Sequence, residues 1–372
     1  MIKYLTVENY RSIKTENILE FDANSDAAHP VIGFAGANAS GKTTLLQSLT
    51  FVLWFMQHSF LKIDESAEIP CEPFYTLPSS PSRFHLIFAQ RSPGDGKLVD
   101  YEYQLCLTKE KVITEKLNYF PDGKELLVYH RHNNNIQFGE HLSSIDTKDL
   151  RANCSLISFA AQFASQTVAI VCKHYTVQSN LDAYGLKTDN FNSSLLDKWL
   201  ADEEIRHHLQ TCLKLADVGI EQIDYKYRIG EKTHFTHKID DGLVNFISRV
   251  ESAGTLQFLV VLYRVLQALK EGAVLIFDEI ELKLHQNLVV YLLTLFKNKA
   301  DNPHNAQLIF SFHNSYIMEF LIPEQLWFAE KNDQGQTALF SAAAFTDIKD
   351  LYQKDLETLY RVGRFGAKPR KI

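Results

Sequence analysis

Two separated stretches of this chain combine residue types that can hold phosphate groups and a divalent cation. Residues 36–43 read GANASGKT and fit the pattern G-x-x-x-x-G-K-[ST], in which backbone N–H groups curl round an anion. In such a loop the lysine reaches the outer phosphates and the following threonine holds Mg²⁺. The predicted phosphate-binding residues are Gly36, Asn38, Ala39, Ser40, Gly41, Lys42, Thr43 and Thr44.

The segments that flank this loop are predicted to be a strand before it and a helix after it. Val31–Ala35 is a short apolar run typical of a buried strand, and residues 43–58 carry an apolar stripe at helical spacing. Anion binding needs this arrangement, because the free N–H groups lie in the first turn of a helix. A chance glycine turn before a helix is the alternative, and the Lys42-Thr43 pair argues against it.

The second stretch follows a continuous apolar run. Val274–Phe277 is typical of a central strand covered on both faces, and it is followed at once by Asp278 and Glu279. The carboxyl end of such a strand is where α/β sheets bind ligands. We predict that Asp278 holds Mg²⁺, directly or through water, and that Glu279 polarises the attacking water. A solvated pair of acids at a strand end is the alternative.

Two further positions extend this predicted site. Ser252 and Gly254 precede a helix predicted from residue 255, where they form a second anion-binding nest. One loop already serves the phosphates, so this nest suggests a site completed by another subunit; a plain serine N-cap is the alternative. His313 follows the next predicted strand and would sense the γ-phosphate by hydrogen bonding, or else is an ordinary histidine at a strand end.

Composition narrows the class of protein. The chain has 372 residues, 45% of them hydrophobic, and a net charge of -7, which argues against nucleic-acid binding over the whole surface. Local basic clusters at residues 3–14 and 361–371 leave a local nucleic-acid contact open. The five cysteines form no C-x-x-C pair, and no apolar run approaches the roughly 20 residues of a membrane span. The first residues begin a strand pattern rather than a signal peptide. We therefore expect a cytoplasmic protein with no membrane partner.

The order of patterns along the chain predicts one α/β domain. Alternating runs punctuated by turn signals at 83–130 indicate an antiparallel β section, and the pattern turns helical at 143–216. Helices and strands then alternate as in a nucleotide-binding fold. The expected divisions of a single domain over 1–372 are a P-loop and antiparallel β lobe at 1–140, a helical insertion at 141–220, and a lobe with the remaining motifs at 221–372.

These elements in this order resemble the ABC-class ATPases, in the branch that contains SMC, RecF and OLD-type proteins. Within that branch the chain resembles the stand-alone AAA-type ATPases of bacterial abortive-infection and anti-phage operons. The stretches that carry the resemblance are 7–12 (VENYRS), 36–43, 251–255 (ESAGT), 278–285 (DEIELKLH) and 360–367 (YRVGRFGA). The resemblance implies an α/β P-loop NTPase fold of ABC-ATPase type and an ATPase that uses ATP and Mg²⁺.

The resemblance also implies further residues and partners. A glutamine of the so-called Q-loop contacts the nucleotide metal in this family, and Gln162 matches it better than Gln90. Ser252 and Gly254 would act on the ATP of a second copy, which predicts a homodimer or higher oligomer joined through ATP. The ATPase would then hold or release a separate toxic effector, such as a nuclease or another toxin.

Departures from the family pattern limit these implications. Ala39 stands where SMC and RecF relatives usually have glycine, and the signature at 251–255 lacks the Leu-Ser-Gly-Gly-Gln form of transporters. No sustained heptads precede the signature, so we expect no SMC-type coiled coil. Roughly sixty residues follow His313, too few for the Toprim nuclease domain of OLD proteins, so any nuclease is expected to be a separate protein. A RecF-like DNA-repair ATPase and a transport ATPase subunit are the alternative functions.

Overall fold

Two large sheets and the helices packed on them organise the computed structural model. The structure describes residues 1–22, 28–91, 97–139, 145–163, 175, 177–184, 200–215, 219–224, 234–240, 242–247, 252–282 and 284–367. The helices are α1 (Lys42–Lys62), α2 (Leu156–Ala160), α3 (Glu203–Leu215), α4 (Ala253–Glu271), α5 (Gln286–Lys297) and α6 (Leu356–Arg361). The first eight strands are β1 (Ile2–Glu8), β2 (Asn17–Glu20), β3 (Val31–Ala35), β4 (Ser82–Arg91), β5 (Leu98–Leu107), β6 (Val112–Phe120), β7 (Leu126–His132) and β8 (Asn135–Phe138). The remaining strands are β9 (Val177–Ser179), β10 (Ile220–Asp224), β11 (His234–Ile239), β12 (Gly242–Ile247), β13 (Val274–Phe277), β14 (Gln307–Ser311), β15 (Leu326–Lys331) and β16 (Thr337–Ser341).

The six-stranded sheet brings the predicted motifs to one edge. Its order is β16-β15-β3-β14-β13-β9, and all neighbouring pairs except β15–β16 are parallel. The carboxyl ends of its parallel strands therefore meet along the same edge. The glycine-rich loop follows β3, Asp278 follows β13 and His313 follows β14. Strands that lie far apart in the sequence thus place these residues side by side.

Both faces of this sheet are covered, as its continuous apolar strands require. On one face Ile32, Phe34 and Ile276 belong to the same buried cluster as the apolar side chains of α1. On the other face Val31 and Leu275 belong to the cluster that contains the buried side chains of α4 and α5. Successive residues of a strand point to opposite faces, so each strand contributes to both clusters. This double coverage fixes the strand ends that carry the site.

The seven-stranded sheet packs on the far side of α1. It is antiparallel throughout, in the order β2-β1-β4-β5-β6-β7-β8. Aromatic rings join it to the helix: the Phe51 ring lies 5.9 Å from Tyr10 and 5.4 Å from Phe84, measured between ring centroids. Helix α1 is consequently enclosed between two sheets, which explains why it is apolar over most of its surface.

A buried carboxylate ties the antiparallel sheet to α2. Glu115 on β6 is fully buried and accepts hydrogen bonds from the hydroxyls of Tyr103 and Tyr129 at 2.9 Å each. It also accepts hydrogen bonds from Ser155 Oγ at 2.6 Å and from the backbone N–H of Leu156 at 2.8 Å. A buried charge needs such partners, so the first turn of α2 is held against this sheet.

The third sheet and α3 lie on the α4 side of the molecule. Strands β10, β11 and β12 form an antiparallel meander. Its buried residues Ile223 and Phe235 share a cluster with Leu209 of α3 and Phe258 of α4. This layer therefore supports the helix that begins at the predicted signature.

The architecture confirms the predicted fold class, an α/β P-loop fold with an antiparallel β section. The segment predicted as a helical insertion differs in one respect, since β9 lies within it and pairs with β13. The proposed divisions at residues 140 and 220 stay predictions. Among the described residues, no helix is both long enough and apolar enough to cross a membrane.

Candidate active site

The glycine-rich loop adopts a backbone that only some residues tolerate. Gly36 and Gly41 have φ values of 147° and 112°, and Ala39 between them has a φ of 60°. A Cβ at Gly36 would lie 2.3 Å from the carbonyl oxygen of Ala329, and a Cβ at Gly41 would lie 2.2 Å from Thr337 Oγ1. Two independent reasons therefore require glycine at both positions: the positive φ of the backbone, and the close approach of β15 and β16.

Helix α1 begins directly at this loop, and no side chain caps it. Its N-cap residue is Gly41, and the cap makes no side-chain hydrogen bond. The first N–H groups of a helix carry partial positive charge and need partners. A helix start without a side-chain cap, preceded by a curled glycine loop, is suited to an anion such as a phosphate.

Lys42 lies folded against its own loop. Its Nζ donates hydrogen bonds to the carbonyl oxygens of Gly36 at 2.8 Å and Ala37 at 3.0 Å. Burial lowers the pKa of this ammonium, and the nearby carboxylates of Asp278, Glu279 and Glu281 oppose that effect. The Lys42 ammonium thus bridges two carbonyl oxygens of the glycine-rich loop and places a positive charge beside it.

Asp278 is the polar centre of the site. Its Oδ2 accepts a hydrogen bond from Thr43 Oγ1 at 2.8 Å, and its Oδ1 accepts one from Ser311 Oγ at 2.5 Å. A hydroxyl and a carboxylate are the oxygen ligands that Mg²⁺ prefers, and these two atoms are already adjacent. The residues present therefore fit the Mg²⁺ that the sequence predicts, which Thr43 and Asp278 would hold.

A side-chain amide holds the backbone of Asp278 from the neighbouring strand. Asn180, which directly follows β9, accepts a hydrogen bond from the Asp278 N–H at 2.8 Å. Its Nδ2 donates to the Asp278 carbonyl oxygen at 2.9 Å. Because both backbone groups of Asp278 are engaged by one amide, the aspartate cannot shift without breaking two hydrogen bonds.

Glu279 and His313 face each other across the edge of the sheet. The distance between Glu279 Oε1 and His313 Nε2 is 3.5 Å, and both side chains are partly exposed. Glu279 has a φ of 53°, and its N–H donates to Ser311 Oγ at 2.8 Å. A positive φ at a residue other than glycine is strained, and such strain is concentrated at functional sites.

Glu281 supports the loop that carries His313. Its Oε1 accepts hydrogen bonds from the backbone N–H groups of His313 and Asn314, the second at 3.3 Å. The other oxygen, Oε2, is buried and has no hydrogen-bond partner among the described residues. The segment that follows Asp278 therefore sets the position of the histidine.

These residues surround a single cavity of about 500 Å³. The residues that line it are Asn38, Ala39, Ser40, Gly41, Lys42, Thr43, Thr44, Asp278, Glu279, His313 and Lys331. Its volume is within the range of small-molecule sites. The start of helix α1 with its lysine, the carboxylates and the histidine all contribute to its wall. The structure thus brings together nearly all of the predicted phosphate, metal and catalytic residues.

A second cavity of about 560 Å³ lies on the outer side of the same loop. Gly36 lines this cavity rather than the first one, and Lys331 and His313 line both. Tyr360 and Ala367, from the stretch YRVGRFGA, form part of its wall. The C-terminal motif therefore lies beside the glycine-rich loop.

The structure does not bring the other predicted residues to the cavity. Ser252 is exposed, and its Oγ accepts a hydrogen bond from the Thr255 N–H at 3.0 Å as the N-cap of α4. Neither Ser252 nor Gly254 lines the cavity. Gln162 is exposed after α2, and Gln90 is buried within β4, so neither lines it either. The roles assigned to these four residues stay predictions.

Sequence reasoning missed several residues that hold the site. Thr337 Oγ1 donates to the Ser40 carbonyl oxygen at 2.9 Å and lies 2.9 Å from Ser12 Oγ. Ser311 and Asn180 fix Asp278 as described above. Ser12 belongs to the quoted stretch VENYRS, which could have suggested a role, whereas Thr337 and Asn180 belong to no recognised pattern.

One protein family and several solved structures match this chain. Residues 31–319 match the profile of the family described as AAA domain, putative AbiEii toxin, Type IV TA system. The SMC head domain from Thermotoga maritima matches with 13% identity and a TM-score of 0.45, over 91% of this chain and 98% of that one. CbiO1 from Clostridium perfringens, part of the ABC transporter complex cbiONQ, matches with 12% identity and a TM-score of 0.36, over 98% and 96%. Comparison with curated protein sequences gives no match.

The family profile covers more than half of the chain, including β3, the glycine-rich loop, Asp278, Glu279 and His313. The chain belongs to the family described as AAA domain, putative AbiEii toxin, Type IV TA system.

Proposed function

We propose that this chain hydrolyses ATP with Mg²⁺, pairs with a second copy around the nucleotide, and thereby controls a separate toxic effector in an anti-phage system. One observation carries the proposal. One cavity within a single chain is lined by the glycine-rich loop, the predicted metal ligands and the candidate general base, Glu279. Ser252 and Gly254 lie outside this cavity. A site divided in this way is completed when a second chain supplies the missing part.

Each group of residues around the cavity has its own role in ATP hydrolysis. The start of α1 and Lys42 bind the phosphates, and Thr43 with Asp278 holds Mg²⁺, which neutralises charge on the phosphate oxygens. Glu279 takes the proton of the attacking water, and its exposure gives water access to the carboxylate. His313 lies 3.5 Å from that carboxylate and reports the presence of the terminal phosphate by hydrogen bonding.

The effector part of the proposal rests on the family. Its description joins an AAA domain to a putative AbiEii toxin and a toxin–antitoxin system. An ATPase whose assembly depends on nucleotide can hold a toxin in one state and release it in the other. We propose a nuclease or another toxin as the separate partner, and the bacterial cytoplasm as the place where both act.

The DNA-repair alternative receives less support. Two members of the basic clusters are paired with carboxylates: Lys3 lies 2.9 Å from Asp100, and Arg364 lies 3.2 Å from Asp347. Charges that are already neutralised contribute less to the binding of a phosphate backbone. An ATPase that dimerises around its nucleotide needs no basic surface for DNA.

The test is a Glu279→Gln variant, studied with ATP, with ADP and without nucleotide. We expect turnover to fall by about 100-fold or more, because the general base is lost while ATP binding is kept. Light scattering should show the mass of a dimer or higher oligomer in ATP only. The matched control is Glu20→Gln, which removes an exposed carboxylate on β2, outside both cavities, and should leave turnover unchanged.

Wild-type turnover in Glu279→Gln would reject the assigned base. An unchanged mass in ATP would reject pairing. For the effector, cells that carry the native gene neighbourhood should lose protection from phage when Lys42 is replaced by alanine. Undiminished protection in that variant would reject nucleotide control of the effector.

A further inference from the structure

Lys331, at the end of β15, lines both cavities beside the glycine-rich loop. No sequence pattern assigns a role to this residue. We propose that Lys331 is a second phosphate-binding lysine, which contacts the terminal phosphate of a nucleotide bound at the loop. This inference rests on the proposed function, because it requires a nucleoside triphosphate in the first cavity.

The backbone of Lys331 is fixed relative to the loop. Strand β15 pairs with β3 in parallel, with Phe328 opposite Ala35, so Lys331 lies beyond the point where β3 becomes the loop. Lys331 pairs with Thr337 on β16, and Thr337 Oγ1 donates to the Ser40 carbonyl oxygen at 2.9 Å. The hairpin of β15 and β16 is therefore joined to the loop on two sides.

The C-terminal motif holds β15 from its other side. The Phe328 ring stacks on Tyr360 and on Phe365, with centroids 5.7 Å and 5.0 Å apart. Phe365 is buried, and Tyr360 donates a hydrogen bond to the Ala367 carbonyl oxygen at 3.3 Å. Stacked aromatic pairs of this kind add to the rigidity of their elements. The stretch YRVGRFGA thus supports the strand that presents Lys331.

The charges in the cavity leave a role for a second cation. Lys42 is bound to the carbonyl oxygens of Gly36 and Ala37. In the part of the chain that the structure describes, no hydrogen bond or ion pair engages the Lys331 ammonium. A nucleoside triphosphate carries more negative charge than one Mg²⁺ and one lysine neutralise. An ammonium on the wall of the same cavity is a suitable partner for the remainder.

The position of Lys331 favours the terminal phosphate. In both cavities it shares the wall with Asn38, Ala39 and His313, and in the first also with Glu279. In the proposed function Glu279 acts on the attacking water and His313 on the terminal phosphate, so these two side chains mark the end of the nucleotide where hydrolysis takes place. A lysine at this end distinguishes ATP from ADP, because ADP lacks the phosphate that it contacts.

The test compares ATP and ADP binding by calorimetry in Mg²⁺ for the wild-type protein and Lys331→Gln. We expect ATP to bind about tenfold more weakly in the variant, and ADP to bind within about twofold of wild type, since one charge-assisted hydrogen bond is lost. Lys331→Arg keeps the charge and should recover most of the ATP affinity. Lys349→Gln removes one exposed positive charge from the same part of the chain and should change neither affinity.

Each result has a distinct meaning. Unchanged ATP affinity in Lys331→Gln, with normal binding by the wild-type protein, would overturn this inference alone. An equal loss for ATP and ADP would overturn the assignment to the terminal phosphate. A wild-type protein that binds no ATP would overturn the proposed function together with this inference. Thermal melting shows whether Lys331→Gln keeps the wild-type fold.

Discussion

The two regions that the sequence assigns to the nucleotide are built very differently. Around Asp278, hydrogen bonds join segments more than a hundred residues apart, as in the 2.8 Å contact with Thr43. Around Ser252, the only described contacts of the side chain lie within its own helix start, and the residue is exposed. The first region is complete within the chain. The second region is an exposed helix start, which we propose meets a nucleotide held by another molecule.

The difference also concerns energy. Buried polar networks are costly to disturb, because each lost partner leaves another polar group without one. An exposed N-cap contributes only about 1 kcal/mol, and its loss leaves the fold intact. Substitutions in the first region should therefore affect binding and folding, whereas substitutions in the second should affect turnover and assembly alone.

The largest expected effect is that of Lys42→Ala. The loop loses the ammonium that bridges Gly36 and Ala37, and the phosphates lose their main cation. We expect ATP affinity to fall on the order of 100-fold, with turnover below detection. Fluorescent-nucleotide titration measures the affinity. ATP binding near the wild-type level would remove Lys42 from the site.

Ser252→Arg should separate the two regions. A bulky charge at the start of α4 blocks the surface that would meet the partner's nucleotide, but the cavity in the same chain stays intact. We expect ATP affinity within about twofold of wild type and turnover about 100-fold lower, as when one stabilising donor group is lost. The control is Asp355→Arg at the N-cap of α6, which should leave turnover unchanged.

Gly36→Ala tests how tightly the first region is packed. The new Cβ would lie 2.3 Å from a backbone oxygen, at a φ of 147°. We expect the free energy of unfolding to fall by about 3 kcal/mol or more. Gly335→Ala is the matched control, since Gly335 also has a positive φ of 72° but no atom within 4 Å of the new Cβ. That variant should lose only about 1 kcal/mol in urea denaturation.

The smallest expected effects on turnover are those of replacing the side-chain amides of Asn180 and Gln162. Asn180→Ala removes two hydrogen bonds to the backbone of Asp278 and should lower turnover about tenfold. Gln162→Ala alters an exposed residue outside the cavity, and its turnover should stay within about twofold of wild type. Steady-state kinetics at varied Mg²⁺ compares the two. A larger effect for Gln162 would support its predicted role as the Q-loop residue.

The sequence predicted best those parts of the fold that depend on local pattern. The apolar run Val274–Phe277, predicted as a central strand, is strand β13 with the same bounds. The glycine-rich loop and Asp278 were recognisable because their chemistry demands particular residues at fixed spacing. Such signals do not depend on which distant segment packs against them.

The rest depends on contacts that no local pattern contains. Strand β9 has only three half-buried residues, and it is a strand because it pairs with β13. Asn180 lies beside Asp278 because of that pairing. The sequence alone therefore offered no reason to assign a role in the site to Asn180 rather than to Gln162. Thr337 and Lys331 reach the loop from a hairpin about three hundred residues away in the sequence. Their roles follow from sheet order, which sequence patterns leave open.

The central claim is that one chain supplies the cavity and a second chain completes it. Its most direct test mixes Lys42→Ala and Ser252→Arg proteins, each inactive alone, and measures ATP turnover. We predict that a one-to-one mixture recovers about one quarter of wild-type turnover, because half of the pairs are mixed and each of those has one intact site. No gain on mixing, or full turnover by Ser252→Arg alone, would contradict the claim.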